Sequence, residues 1–296
     1  MRSSGTLLCL GSAAAFGAIG VFDKLAYDDG ATVGTLLAVR FLLAAALFWA
    51  MILAGGAAGE IRALGRRDLA IALSLGACGY AAQAGGYFAA LERIDASLLA
   101  LLIYTFPAMV GVAAIALGRE RADSRRLAAL ALASAGLVLV LASARTGALD
   151  PVGTALALGA AVVYSAYILV SDGVARRVRP RVLSALVCSG AAVTLTAGAV
   201  LLGEFRPGEL TLAGWGWLAG LAVVSTVGAV SLFFAGLERV GPTTASILST
   251  IEPVVTVLLA FVVFGELLSA VQLFGGALVL GGVLVLHKRT MRRSTT

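Results

Sequence analysis

Charge is scarce in this sequence, and this scarcity limits the class of protein that it can encode. Only 13% of its 296 residues are charged, whereas about a quarter of the residues of a soluble domain are charged. Hydrophobic residues make up 60% of the chain, and the mean hydropathy is +1.00. These values exclude a water-soluble globular domain, and we expect a chain that folds in lipid.

Side chains that catalyse reactions or bind metals are also scarce. The single histidine, His287, follows the last apolar stretch, and neither His-Glu-x-x-His nor a pair of mid-span aspartates is present. The cysteines, Cys9, Cys78 and Cys188, lack the spacing of a disulfide framework or a metal site. The Gly-x-x-x-x-Gly-Lys-Ser/Thr motif of nucleotide-driven pumps is absent. We therefore expect no enzyme, no metal, no cofactor and no direct use of ATP.

Apolar runs long enough to cross about 30 Å of hydrocarbon recur along the whole chain. Eight runs are uncharged, and two more carry one interior charge each, Arg40 and Glu252. The first run follows Arg2 as a secretory signal would, but its length and the runs after it favour an uncleaved helix. The sequence thus predicts an all-α polytopic membrane protein with ten transmembrane helices.

The net charge of +6 reflects topology rather than a nucleic-acid partner. Most of the 22 Lys and Arg residues fall at the two termini and in the even-numbered connections. The opposite side holds only Lys24, Arg93, Arg145 and Arg206. The positive-inside rule then predicts cytoplasmic termini in a bacterial-type inner membrane.

The chain contains one stretch twice. At an offset of 146 positions, Phe88–Arg93 matches Phe234–Arg239, Pro107 matches Pro253, Glu120 matches Glu266 and Gly136 matches Gly282. We interpret residues 1–148 and 149–296 as two five-helix repeats. Because five is odd, the second repeat must lie inverted in the membrane. Inverted repeats with a site near the midplane are typical of alternating-access transporters.

Three further features recur or stand out: the mid-helix prolines Pro107 and Pro253, the endings Gly118-Arg119-Glu120 and Phe264-Gly265-Glu266, and a last helix with Gly275, Gly276, Gly281 and Gly282. Together with the two five-helix repeats, these features resemble the EamA family of the drug/metabolite transporter superfamily. The first repeat departs from the pattern at two places. Arg119 stands where the second repeat has Gly265, and Ala129 and Leu130 stand where it has Gly275 and Gly276. The resemblance implies export of small metabolites, and the similarity is to the branch that exports aromatic and other hydrophobic amino acids.

Polar residues inside the spans are candidates for a substrate pathway. Tyr80, Gln83 and Tyr87 share one stripe of the third helix. The other substrate-binding candidates are Tyr104, Tyr164, Ser165, Tyr167, Ser231 and Thr250. Aromatic faces with hydroxyls and an amide suit a zwitterion with an apolar side chain. The alternative is that the tyrosines form interfacial belts and the hydroxyls bond their own helix backbone.

The prolines and the two interior charges have mechanical and electrostatic interpretations. Pro107 and Pro253 kink their helices and free one carbonyl each at mid-depth, either for a ligand or only for packing. Arg40 and Glu252 lie at similar depth, and we hypothesise an ion-pair network that includes Asp23 or Lys24. This network is either structural or involved in coupling.

The sequence therefore predicts an inner-membrane exporter of small metabolites with a cavity between its repeats. Aromatic or hydrophobic amino acids are the expected substrates. The alternatives are a multidrug exporter of lipophilic cations and an uncoupled uniporter or channel. The expected partners are the substrate and membrane lipid, with no nucleic acid. A monomer is the first expectation, and a dimer stays open.

Overall fold

The computed structural model describes residues 2–56, 58–94, 96–121, 123–142, 150–265 and 269–292. Within these ranges the chain is largely helical and contains no strand. Nine of the described helices are long and apolar enough to cross a membrane, and the tenth is shorter. They are α1 (Ser4–Asp28), α2 (Val33–Ala54), α3 (Arg66–Leu91), α4 (Leu98–Ala116), α5 (Ser124–Leu141), α6 (Pro151–Ala175), α7 (Pro180–Leu201), α8 (Leu212–Val240), α9 (Pro242–Phe264) and α10 (Ala270–Val285). The all-α polytopic class is confirmed.

The helices begin where capping residues and prolines direct them. Thr32, Asp150 and Thr211 accept hydrogen bonds from the backbone N–H three residues later, at 3.1, 2.6 and 3.0 Å. Each cap satisfies one of the N–H groups that a helix start leaves without an intrahelical partner. Pro180 and Pro242 occupy the first turns of α7 and α9, where a missing N–H costs nothing. The connections are short, so they hold no soluble domain.

The two repeats end their fourth helices in slightly different ways. Gly265 ends α9 in the left-handed conformation, with φ of 69°. Its match by the repeat is Arg119, but Gly118, with φ of 66°, ends α4 instead. Only glycine adopts such a φ without strain. The departure in the first repeat therefore moves the left-handed glycine by one residue and keeps a glycine at the end of the helix.

Helix packing follows the pseudo-symmetry of the repeats. The helix α2 packs against α7 and α5 packs against α10, so equivalent helices of the two halves meet. The second part of α8, Ala229–Val240, packs on α1, and the second part of α3, Ala81–Leu91, packs on α6. A two-fold axis between the halves would relate these two contacts to each other. The predicted boundary between residues 148 and 149 lies outside the described residues.

Close packing between α5 and α10 depends on glycine. A side chain at Gly136 would overlap the Gly275 carbonyl, and one at Gly275 would lie 2.9 Å from the Val140 nitrogen. Small residues let membrane helices approach at this distance. The glycine-rich stripe of α10 is therefore used inside the bundle.

Five of the described helices are interrupted. One interruption is at Ala18 in α1, and the other four are related in pairs by the repeat. A π-helical turn spans Leu75–Tyr80 in α3 and another spans Val223–Gly228 in α8, 148 positions later. The helix α4 breaks at residues 104–105 and α9 breaks at residues 250–251, 146 positions later. Irregular backbone at membrane depth occurs where protein covers it or where it lines a cavity, and π turns are frequent at functional sites. The four paired interruptions therefore indicate a functional site in the space between α3, α4, α8 and α9.

Candidate functional site

A cavity of about 430 Å³ lies at this place between the two halves. The helices α1 to α9 all contribute to its lining. The polar lining residues are Asp23, Arg40, Tyr80, Gln83, Tyr87, Tyr104, Tyr164, Tyr167, Cys188, Glu252 and Thr256. A cavity of this volume, mostly apolar and with few polar groups, has the character of a small-molecule site.

The third helix presents its predicted stripe to this cavity. Tyr80, Gln83 and Tyr87 all line it, from the π turn and the helix that follows. The Tyr80 ring meets the Phe41 ring of α2 edge to face, with centroids 4.6 Å apart. The edge-to-face arrangement is a favourable one for two rings and fixes the orientation of Tyr80.

A row of aromatic rings forms a second wall. Tyr104 lies in the break of α4 and Phe106 is the first helical residue after it, with ring centroids 5.8 Å apart. Phe106 contacts Tyr164 of α6 at 4.6 Å, and Tyr164 stacks on Tyr167 at 6.1 Å. The interruption of α4 places Tyr104 and Phe106 together on the cavity side. The result is a rigid aromatic surface that is suited to a flat apolar group.

Arg40 is almost fully buried at 4% exposure, and its guanidinium is held by α8. Its Nε donates to Thr226 Oγ1 at 2.7 Å, and its Nη2 donates to the Ser225 carbonyl at 3.1 Å. Both acceptors belong to the π turn. Among the described residues Arg40 forms no direct ion pair, and these two hydrogen bonds hold its guanidinium.

Two carboxylates share the cavity with Arg40. Glu252 is the first residue of the helical segment after the break in α9, and the Tyr104 phenol lies beside its carboxylate. Asp23 lies on α1, and Arg40 interacts electrostatically with both acids. Lys24, the other suggested partner, instead lies over the Phe264 ring at 4.0 Å and does not line the cavity.

Four of the predicted site residues do not line the cavity: Ser165, Ser231, Thr250 and Pro107. Thr250 donates to the Ile247 carbonyl of its own helix at 2.6 Å, which was the alternative interpretation. Ser165 donates to the Ala161 carbonyl of its own helix at 2.7 Å and also contacts the Phe106 carbonyl of α4 at 3.4 Å. Pro253 lines the cavity, whereas Pro107 is buried and does not line it.

Several residues that line the cavity are not among the predicted substrate-binding residues. The first apolar run ends at Phe22, whereas the helix continues to Asp28 and brings Asp23 into the bundle. Phe106 is the match of Glu252 at the offset of 146, and Phe233 is the match of Tyr87. Both phenylalanines line the cavity. The repeat itself was therefore a signal that could have identified them. Among the described residues no group of His, Cys, Asp or Glu has the arrangement of a metal site.

Sequence comparison identifies the family. The model of the EamA-like transporter family matches residues 3–142 and again residues 151–287. The chain belongs to the EamA-like transporter family. The resemblance in the proline and glycine pattern is thereby confirmed, and the two matches correspond to the two repeats.

Similar EamA-like proteins carry the name of transporters without a stated substrate. An uncharacterized transporter of Archaeoglobus fulgidus is 29% identical over 199 residues, which is 67% of this chain and 70% of that protein. The uncharacterized transporter YcbK of Bacillus subtilis is 25% identical over 288 residues, with 92% of this chain and 89% of YcbK covered. A solved crystal structure matches 99% of both chains with a TM-score of 0.83 at 22% identity, which shows the shared fold. This EamA-like protein is a multi-pass membrane transporter.

Proposed function

We propose that this EamA-like transporter exports aromatic and other hydrophobic amino acids by alternating access through the cavity between its repeats. The observation that carries the proposal is the composition of the cavity, which combines an aromatic wall with one arginine and two carboxylates. A hydrophobic amino acid presents the complementary set, namely an apolar side chain, a carboxylate and an ammonium group.

The aromatic wall supports recognition of the side chain. Rings from α4 and α6 form the row that ends in Tyr164 and Tyr167, and Tyr80 and Phe41 face the same space. Aromatic pairs in such geometry contribute about 0.5–1.5 kcal/mol beyond the area that they bury. A bound phenyl ring would add to a surface that is already ordered, so little conformational entropy is lost on binding.

The charges support recognition of the zwitterionic head. One cation and two acids occupy a mostly apolar cavity, where Coulomb interactions are stronger than in water. None of the three charges forms a direct ion pair with another in the described structure. They are therefore available to a ligand that carries both signs.

A second candidate substrate is a lipophilic cation. Two carboxylates against one arginine give the cavity an excess of negative charge when both acids are ionised, and Glu252 is not neutralised by a direct contact with Arg40. A cationic amine with an aromatic group would satisfy this excess. The two candidates differ in the carboxylate, which an amino acid carries and a lipophilic cation lacks.

We further propose that the transporter works in a bacterial-type inner membrane, with both termini in the cytoplasm, as the basic connections predict. Interruptions paired by the repeat in α3 and α8 and in α4 and α9 give each half an equivalent point of flexure. Bending of the two halves at these points would open the cavity alternately to the two sides of the membrane.

The test is uptake of labelled phenylalanine by proteoliposomes that contain the purified protein, with and without a pH gradient. The variant Tyr80→Ala, Gln83→Ala removes two lining groups of α3, and Ser165→Ala is the control because Ser165 does not line the cavity. We expect saturable uptake that the double variant loses and the control retains. Uptake no greater than in empty liposomes, together with uptake of an aromatic amine, would replace the amino-acid assignment with the cation assignment.

A further inference from the structure

The cavity contains two polar groups whose hydrogen-bonding capacity is not used by the protein. Arg40 donates from Nε and Nη2, while its Nη1 has no hydrogen-bond acceptor in the described part of the chain. Asp23 Oδ1 is shielded from solvent and has no donor among the described residues. Buried polar groups in folded proteins nearly always have partners, so the unsatisfied Asp23 Oδ1 requires an explanation.

The two unsatisfied groups have opposite charge and line the same cavity. Arg40 offers an N–H donor that matches a carboxylate oxygen, and a guanidinium binds carboxylates with directional hydrogen bonds. Asp23 offers an acceptor that matches an ammonium N–H. Glu252 is different, because the Tyr104 phenol lies beside it.

The side chain of Arg40 is held in place from outside the cavity. Thr226 Oγ1 accepts from Nε at 2.7 Å, and Thr226 in turn donates to the Leu221 carbonyl, five residues earlier, at 3.3 Å. The π turn supplies the Ser225 carbonyl as the second acceptor. Two contacts on one edge of the guanidinium fix its plane and leave the third nitrogen free.

We propose that Arg40 and Asp23 bind the substrate as a zwitterion, with Arg40 Nη1 on its α-carboxylate and Asp23 on its ammonium group, and that Thr226 positions Arg40. This inference rests on the proposed function and deepens it, because it makes the transporter selective for amino acids over the corresponding amines. Arg40 and Asp23 are binding residues, and Thr226 acts through Arg40.

The test compares three ligands that share a phenyl ring. Phenylalanine carries both charges, phenethylamine lacks the carboxylate and 3-phenylpropionate lacks the ammonium. Equilibrium binding and initial uptake rates are measured for the full-length protein and for Arg40→Gln, Asp23→Asn, Thr226→Val and Thr226→Ser. Thermal melting identifies variants that retain the fold.

We expect the wild type to bind phenylalanine at least about tenfold more tightly than either analogue, since hydrogen bonds to charged groups are the strong ones. Arg40→Gln should weaken phenylalanine binding by about 10- to 100-fold and should not weaken phenethylamine binding, because it removes a like charge from beside the ammonium group. Asp23→Asn should weaken phenylalanine binding by a similar factor and should not weaken 3-phenylpropionate binding, for the same reason. Thr226→Val should raise the KM for phenylalanine about 3- to 10-fold with phenethylamine unaffected, and Thr226→Ser should restore the wild-type value.

The outcomes separate this inference from the function on which it rests. Phenylalanine uptake by the wild type that Arg40→Gln leaves unchanged would overturn the zwitterion site and keep the amino-acid exporter. Equal losses for all three ligands in a folded Arg40→Gln variant would show a structural role and would also overturn the site. A wild type that takes up phenethylamine and no phenylalanine would overturn the proposed function itself.

Discussion

Replacing Gly76 with alanine should separate α3 from α7 at the side of the cavity. Gly76 lies in the π turn one helical turn before Tyr80, and a Cβ there would overlap the Val187 carbonyl and lie 2.7 Å from the Ala191 nitrogen. Ordinary contact begins at about 3.4 Å, so the Ala191 contact alone requires a movement of about 0.7 Å, and the closer Val187 carbonyl requires a larger one. Overpacking of this kind costs about 1–3 kcal/mol. The intrinsic preference for alanine over glycine in a helix returns up to about 1 kcal/mol.

The expected net loss for Gly76→Ala is therefore about 0–2 kcal/mol of unfolding free energy. Gly85→Ala is the matched control, because Gly85 lies in the same membrane helix and a Cβ there has no atom within 4 Å. The control should gain about 0.5–1 kcal/mol. Unfolding of both variants in mixed micelles measures the difference, and phenylalanine uptake measures the displacement of Tyr80. Equal stability of the two variants would refute the close approach of α3 and α7.

Three further predictions concern the aromatic wall, the helix breaks and the surface. Tyr164→Ala removes two ring contacts and should raise the KM for phenylalanine about 5- to 100-fold, whereas Tyr164→Phe should change it by less than about twofold. Equal KM values for the two variants would exclude ring stacking. Pro253→Ala restores an N–H for the Ser249 carbonyl, so it should slow uptake about tenfold and raise the melting temperature. The control Pro151→Ala, in the first turn of α6, should do neither, and faster uptake by Pro253→Ala would contradict a role for the break. Asp68→Asn breaks a 2.7 Å ion pair with the exposed Arg177 and should cost less than about 1 kcal/mol, and less again at 1 M salt; a larger, salt-independent loss in the same unfolding assay would disprove this estimate.

Much of the fold was predictable because lipid imposes strong rules on sequence. Apolar run length predicts the helices, and the duplicated Pro107 and Pro253 indicate the places where α4 and α9 break. The helical period places Tyr80, Gln83 and Tyr87 on one face, and that face lines the cavity. Each of these inferences uses local spacing only.

The rest depends on contacts between distant parts of the chain. Asp23 follows the end of an apolar run, and only the neighbouring helices of the bundle allow α1 to continue past it. The pairing of Arg40 with Thr226 joins positions 186 residues apart, and it requires a π turn that hydrophobic periodicity does not reveal. The hydroxyl of Thr250 was predicted for the substrate, but a serine or threonine in a helix also has a carbonyl of its own helix within reach.

Counterflow of phenylalanine tests the central claim most directly. Proteoliposomes are loaded with unlabelled phenylalanine and diluted into a trace of labelled phenylalanine, and the label inside is followed with time. An alternating-access carrier returns loaded with substrate from either side, so we expect a transient accumulation of label above its equilibrium level that Tyr80→Ala, Gln83→Ala abolishes. Entry of label that only approaches equilibrium, with no effect of the internal substrate, would indicate a channel and contradict alternating access.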